Sequence, residues 1–114
     1  GTEFRNKLLN LKKDNKIVVG YGACATVTTL IYQFDIANLI DFLVDDNPIR
    51  HFTYSPGHHI PVYPPSYIDE RKVDSIAILA WRFETQILER NRQRFDNKTV
   101  IIPNLHHDKA GALK

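Results

Sequence analysis

Apolar positions along the chain switch between a helical and an extended period. Phe4, Leu8 and Leu11 stand at i, i+4 and i+7, which predicts a helix over residues 2–12, with Thr2 as a candidate cap. Lys12-Lys13-Asp14-Asn15 breaks it. Lys16 to Gly20 is a short β-branched run bounded by a turn, the pattern of a buried strand. Val27, Leu30, Ile31 and Phe34 then share one face of a second helix, closed at Asn38. Leu39 to Val44 reads as a second strand, interrupted only by Asp41. Residues 49–65 are irregular and rich in proline, with a short strand at Ile60–Tyr63 that Pro61 confines to a sheet edge. Ser66-Tyr67-Ile68-Asp69 has the spacing of a capping box before a short helix. Ser75–Ala80 is the next buried strand. Phe83, Ile87, Leu88 and Phe95 mark a helix of about twelve residues, and Lys98–Ile102 is a last strand, stopped by Pro103.

Strands that alternate with helices and are apolar throughout predict a parallel sheet covered on both faces. The expected architecture is α/β: a Rossmann-like three-layer sandwich of about five mostly parallel strands in the order 3-2-1-4-5. At 114 residues the chain reads as a single domain, with residues 104–114 as a loose polar tail. It starts Gly-Thr-Glu-Phe and has no methionine, which suggests a piece of a longer protein. A net charge of +2 gives no basic field for nucleic acid. One cysteine excludes a disulfide framework and a cysteine-based zinc site, and suits a reducing, cytoplasmic setting. No apolar run approaches the ~20 residues of a membrane span.

In sheets of this kind ligands bind beyond the carboxyl ends of the strands. Four segments are expected to meet there: Gly20–Thr26, Asp45–Pro48, His58-His59 and Trp81-Arg82-Phe83. In the first, Gly20 suits a tight turn, Gly22 suits close approach of a ligand to the backbone, and the helix after Tyr21-Gly22-Ala23 offers its leading amides, up to Thr26, to a phosphate. A strand-to-helix turn that simply needs glycine has the same spacing. Asp45 follows the glycines at the distance where dinucleotide folds place a ribose-binding acid, and Asp46 and Asn47 are either its companions or a solvated turn. His58 is a candidate substrate contact. Trp81 suits a flat wall or the core, and Arg82 a phosphate. The pairs His58-His59 and His106-His107 lack the spacing of metal ligands. Cys24 reads as a small helix residue. No catalytic set is visible.

Taken together, Gly20-Tyr21-Gly22-Ala23-Cys24-Ala25, Leu39 to Asp46-Asn47-Pro48, Pro56-Gly57-His58-His59-Ile60-Pro61-Val62, Ile78-Leu79-Ala80-Trp81-Arg82-Phe83 and Val100-Ile101-Ile102-Pro103 resemble a known family in their order. It is the C-terminal domain of S-adenosylmethionine-dependent sugar C-methyltransferases. The resemblance implies a domain that helps to hold a nucleoside diphosphate sugar and is not catalytic alone. It also implies a methyl-transfer domain upstream as its partner, where S-adenosylmethionine and zinc are bound. Two other readings stand beside it, the first of which also pairs a glycine turn with an Asp-Asp-Asn-Pro strand end. One is the N-terminal domain of sugar acyltransferases. The other is a fragment of an NAD-linked oxidoreductase, which is weakened because no Tyr-x-x-x-Lys set appears.

Overall fold

The computed structural model describes residues 2–103. The expected tail and His106-His107 lie outside them. Ten regular elements follow in order: α1 (Thr2–Lys13), β1 (Val18–Tyr21), α2 (Ala25–Phe34), β2 (Phe42–Val44), β3 (Thr53–Tyr54), β4 (Pro61–Tyr63), α3 (Tyr67–Glu70), β5 (Ser75–Ile78), α4 (Glu84–Arg90) and β6 (Thr99–Ile101). Single 3-10 turns lie at Ala37–Leu39, Pro48–Arg50 and Trp81–Phe83.

The six strands form one sheet in the order β3-β4-β2-β1-β5-β6. The five expected strands stand in the expected order and are parallel, with Gly20 opposite both Leu43 and Ala77. The sixth, β3, pairs antiparallel with β4 and was not foreseen; it takes the edge, so β4 with Pro61 lies between two strands and not at the edge as expected. The residues of β3 are exposed, so it carries no alternation of buried and polar positions to reveal it.

Alternate strand residues supply the two faces. Val18, Leu43, Val62, Ala77 and Ile101 pack under Phe4 and Leu8 of α1 and Val27, Leu30 and Ile31 of α2. Val19, Tyr21, Phe42, Val44, Ile76 and Ile78 pack under Ile68 of α3, Ile87 of α4 and Phe95. Each such valine, leucine, isoleucine or phenylalanine contributes about 1.5–3 kcal/mol on leaving water, so both helical layers are held chiefly by their apolar stripe.

Three expectations need correction. Thr2 is the first residue of α1 and not the cap before it. Ser66 makes no side-chain cap: it sits in helical conformation, and its carbonyl accepts from the Asp69 amide at 3.0 Å. The helix expected to reach Phe95 stops at Arg90, where Asn91 turns its side-chain amide onto the Ile87 carbonyl at 2.8 Å. Phe95 still reaches the core, from a turn. Asp41 stands just before β2, where its carboxylate accepts from the Val18 amide (2.7 Å) and from Lys12 (2.6 Å), tying α1 to two strands. Among the described residues no helix is long and apolar enough to cross a membrane.

Candidate active cleft at the carboxyl edge

β1 ends at Tyr21 and passes through Gly22 into α2. Gly22 has φ +121°, which side-chain-bearing residues rarely adopt. A Cβ there would lie 2.7 Å from the Ala80 Cβ and 3.1 Å from the Ala80 nitrogen. The glycine therefore makes room for the neighbouring β5 turn. Gly20 is no turn residue. It lies inside β1, and a Cβ on it would meet Leu43 and Leu79 side chains at 2.6 Å.

The start of α2 holds a second correction. Cys24 at its N-cap makes no side-chain bond to the helix. Instead Asp45, from the end of β2, accepts the Ala23 amide on Oδ2 at 2.8 Å and the Asn47 amide on Oδ1 at 2.8 Å. Arg50 stands 3.9 Å from Oδ1. Of the amides expected to meet a phosphate, that of Ala23 is thus satisfied by a carboxylate of the chain itself. Ala23 precedes the Cys24 N-cap, so this bond fixes the turn before α2 and not the helix's own leading amides. Asn47 is a turn residue, its Oδ1 accepting from the Ile49 amide at 3.1 Å.

Asp46 points the other way. Successive residues at an extended strand end project to opposite sides, so Asp45 meets α2 and Asp46 meets α4. Its Oδ1 accepts the Tyr21 hydroxyl proton at 2.7 Å and its Oδ2 is paired with Arg90 Nη1. Tyr21 is 1% exposed, and its oxygen accepts from Asn91 Nδ2 at 3.1 Å. Burial first, and then the hydrogen bond to Asp46, raise the Tyr21 phenol above its ordinary pKa, so it keeps its proton.

These groups line an open cleft of about 600 Å³ over the carboxyl ends of β1, β2 and β5. Tyr21, Gly22, Asp45, Asp46 and Asn47 were expected there; Arg50, Gln86 and Arg90 were not. Phe83, 56% exposed, forms one wall. On its other side lies a smaller hollow of about 250 Å³ containing Thr26, Trp81 and Arg82. Trp81 packs in part against the α1/α2 core, and the Arg82 guanidinium lies 5.4 Å from its ring centre. Ala23 stands behind the cleft, in the groove beside β3.

His58 does not join the cleft. Because β3 descends antiparallel, the loop between β3 and β4 lies at the amino edge of the sheet, and His58 lies there near Tyr32 of α2, ring centres 6.4 Å apart and tilted. Its Nδ1 is buried without a hydrogen-bond partner. Among the described residues no three His, Cys, Asp or Glu side chains come together as a metal site.

The missed residues left faint signals. Arg50 and Arg90 sit in turns and helix faces, where basic residues are ordinarily solvated. Only the pairing of each with one of two adjacent acids marks them out.

Comparison with solved structures finds the same fold in UDP-D-quinovosamine 4-dehydrogenase from Vibrio fischeri, with a TM-score of 0.55 over 84% of each chain. The two sequences are 19% identical, so the likeness is one of fold. Comparison with curated proteins finds no match. The model of a protein family described as the C-methyltransferase C-terminal domain matches residues 2–105, nearly the whole chain, with the β1 turn, both acids of β2 and the Trp81 turn all inside the match, and the chain belongs to that family.

Proposed function

We propose that this domain holds the nucleoside diphosphate sugar of a C-methyltransferase. Methyl transfer is then performed by an upstream part of the parent protein, which binds S-adenosylmethionine and zinc. The observation that carries the reading is the composition of the 600 Å³ cleft: two arginines, one outward-facing acid and an exposed aromatic ring around one opening. Arg50 and Arg90 suit a diphosphate, because guanidinium groups pair with phosphate oxygens in a fixed fork. Asp46 suits sugar or ribose hydroxyls, which are hydrogen-bond donors. Phe83 suits the face of a base or sugar ring. Arg50 and Arg90 favour the cleft as the diphosphate's place, while Asp45 already fills the Ala23 amide of the glycine turn.

The reading implies a domain that binds but does not react, and a cleft whose opposite wall belongs to the methyl-transfer domain. Calorimetric titration of the chain with UDP-glucose, dTDP-glucose and S-adenosylmethionine tests it. Weak saturable heat with a nucleotide sugar, lost in an Arg50→Ala, Arg90→Ala double variant, is the expected result. Micromolar binding of S-adenosylmethionine, or nucleotide-sugar binding indifferent to both arginines, would overturn it.

A further inference from the structure

A line of hydrogen bonds runs beneath the cleft from Arg94 to Asp46. Arg94 Nη1 donates to Asn91 Oδ1 at 2.7 Å, which fixes the orientation of the Asn91 amide. Asn91 Nδ2 therefore faces the Tyr21 oxygen, at 3.1 Å, and the Ile87 carbonyl, at 2.8 Å. With its oxygen accepting from Asn91, the Tyr21 hydroxyl has a single direction for its proton, toward Asp46 Oδ1 at 2.7 Å. Tyr21 and Asn91 are each 1% exposed, whereas the Asp46 side chain is 37% exposed.

Folding alone does not call for this arrangement. The Tyr21 ring packs edge-on against Phe95, with ring centres 6.0 Å apart, and a phenylalanine at 21 would fill the same space without a buried hydroxyl. Buried polar groups cost free energy unless fully satisfied, and a core of apolar side chains avoids that cost. What the hydroxyl adds is a fixed orientation of the Asp46 carboxylate at the cleft wall. The neighbouring Asp45 is committed to the Ala23 and Asn47 amides. Asp46 is bound on one side of each oxygen only, by Tyr21 and by Arg90. An ionised carboxylate has about four lone-pair positions, so one on each oxygen is left for a ligand.

We propose that Asp46 accepts both hydroxyls of a vicinal diol on the bound ligand, and that Tyr21 is the positioning residue that aims it. The proposal rests on the cleft reading given above and adds the group recognised and the side chain that orients it. A vicinal diol occurs in ribose and in hexoses, so the test separates the two.

Affinities of wild type, Tyr21→Phe and Asp46→Asn are measured by calorimetry for UDP-glucose, UDP and 2′,3′-dideoxy-UDP, with unfolding midpoints alongside. Loss of a charge-assisted hydrogen bond to a hydroxyl corresponds to a drop of about tenfold. The expected result is such a drop in both variants for diol-bearing ligands and none for 2′,3′-dideoxy-UDP. If UDP itself shows the drop, the diol is the ribose; if only UDP-glucose does, it is the hexose. A merely structural role for Tyr21 would weaken all three ligands alike, and that outcome overturns the proposal. Equal binding of UDP-glucose by all three proteins also overturns it, while leaving the cleft reading in place. No binding of any ligand by the wild type overturns both. Should Tyr21→Phe fail to fold, Asn91→Ala, which keeps the phenol but frees its orientation, is held to the same selectivity.

Discussion

Gly22→Ala would place a methyl group 2.7 Å from the Ala80 Cβ, 3.1 Å from the Ala80 nitrogen and 3.1 Å from Val27 Cγ2. Two costs combine. The residue must keep φ near +121°, a conformation that costs a side-chain-bearing residue about 1–3 kcal/mol. The crowded neighbours include a backbone atom of the β5 turn, which cannot rotate away, and overpacking of this kind costs about 1–3 kcal/mol more. The sum is about 2–6 kcal/mol. Gly57 separates the two contributions, because it has φ +82° and nothing within 4 Å of a Cβ. Gly57→Ala should therefore carry only the conformational part, about 1–2 kcal/mol. Urea unfolding of the two variants and the wild type, read from midpoints at constant slope, gives the comparison. In a domain of this length each kcal/mol lowers Tm by about 4–8 °C, so the Gly22 variant should melt at least about 8 °C below wild type. Equal destabilisation of the two variants would show that the approach of Ala80 to the glycine turn is not a constraint, and would refute the reasoning.

Two further predictions concern the acids and the buried phenol. Asp45→Ala removes the acceptor of two amides and should destabilise by about 1–3 kcal/mol; hydrogen exchange should quicken at Ala23 and Asn47, and unchanged exchange at both would show that the carboxylate does not hold the turn before α2. Tyr21 is protonated more firmly in the folded state than in the unfolded chain. Its contribution is therefore complete below the unfolded pKa of about 10 and declines as pH rises above it, by up to about 1.4 kcal/mol per pH unit. Denaturant unfolding between pH 9 and 11 should show this decline in the wild type and a smaller one in Tyr21→Phe; identical slopes would contradict the buried, protonated phenol.

Much of the sheet was legible because β1, β2 and β5 are short apolar runs set between helices of regular spacing. Val18-Val19 and Ile76-Ala77-Ile78 serve both faces at once, and that is why they show no alternation. β3 was hidden by exposed side chains, and missing it misplaced His58. A loop read as one crossing is in fact a descent and a return, so its tip lies at the opposite edge. The end of α4 was hidden by Asn91, whose spacing fits a helix but whose amide is drawn to Tyr21. At the cleft, the sequence placed Asp45 and Asp46 correctly at the strand end. It had no means to tell them apart, since the pleat alone decides which acid turns to α2 and which to α4. The glycines were recognised by their motif, yet their space is used by Leu43, Leu79 and Ala80. A motif specifies room near the backbone and leaves open who fills it.

The central claim is that the carboxyl-edge cleft is where a nucleotide sugar is held. Backbone amide chemical shifts of the chain, followed during titration with UDP-glucose, test it most directly. The predicted result is saturable movement of the amides of Gly22, Asp46, Asn47, Phe83, Gln86 and Arg90, which line the cleft, with residues 55–59 at the opposite edge unmoved. Shifts confined to residues 55–59, or no saturable shift at the cleft, would contradict it.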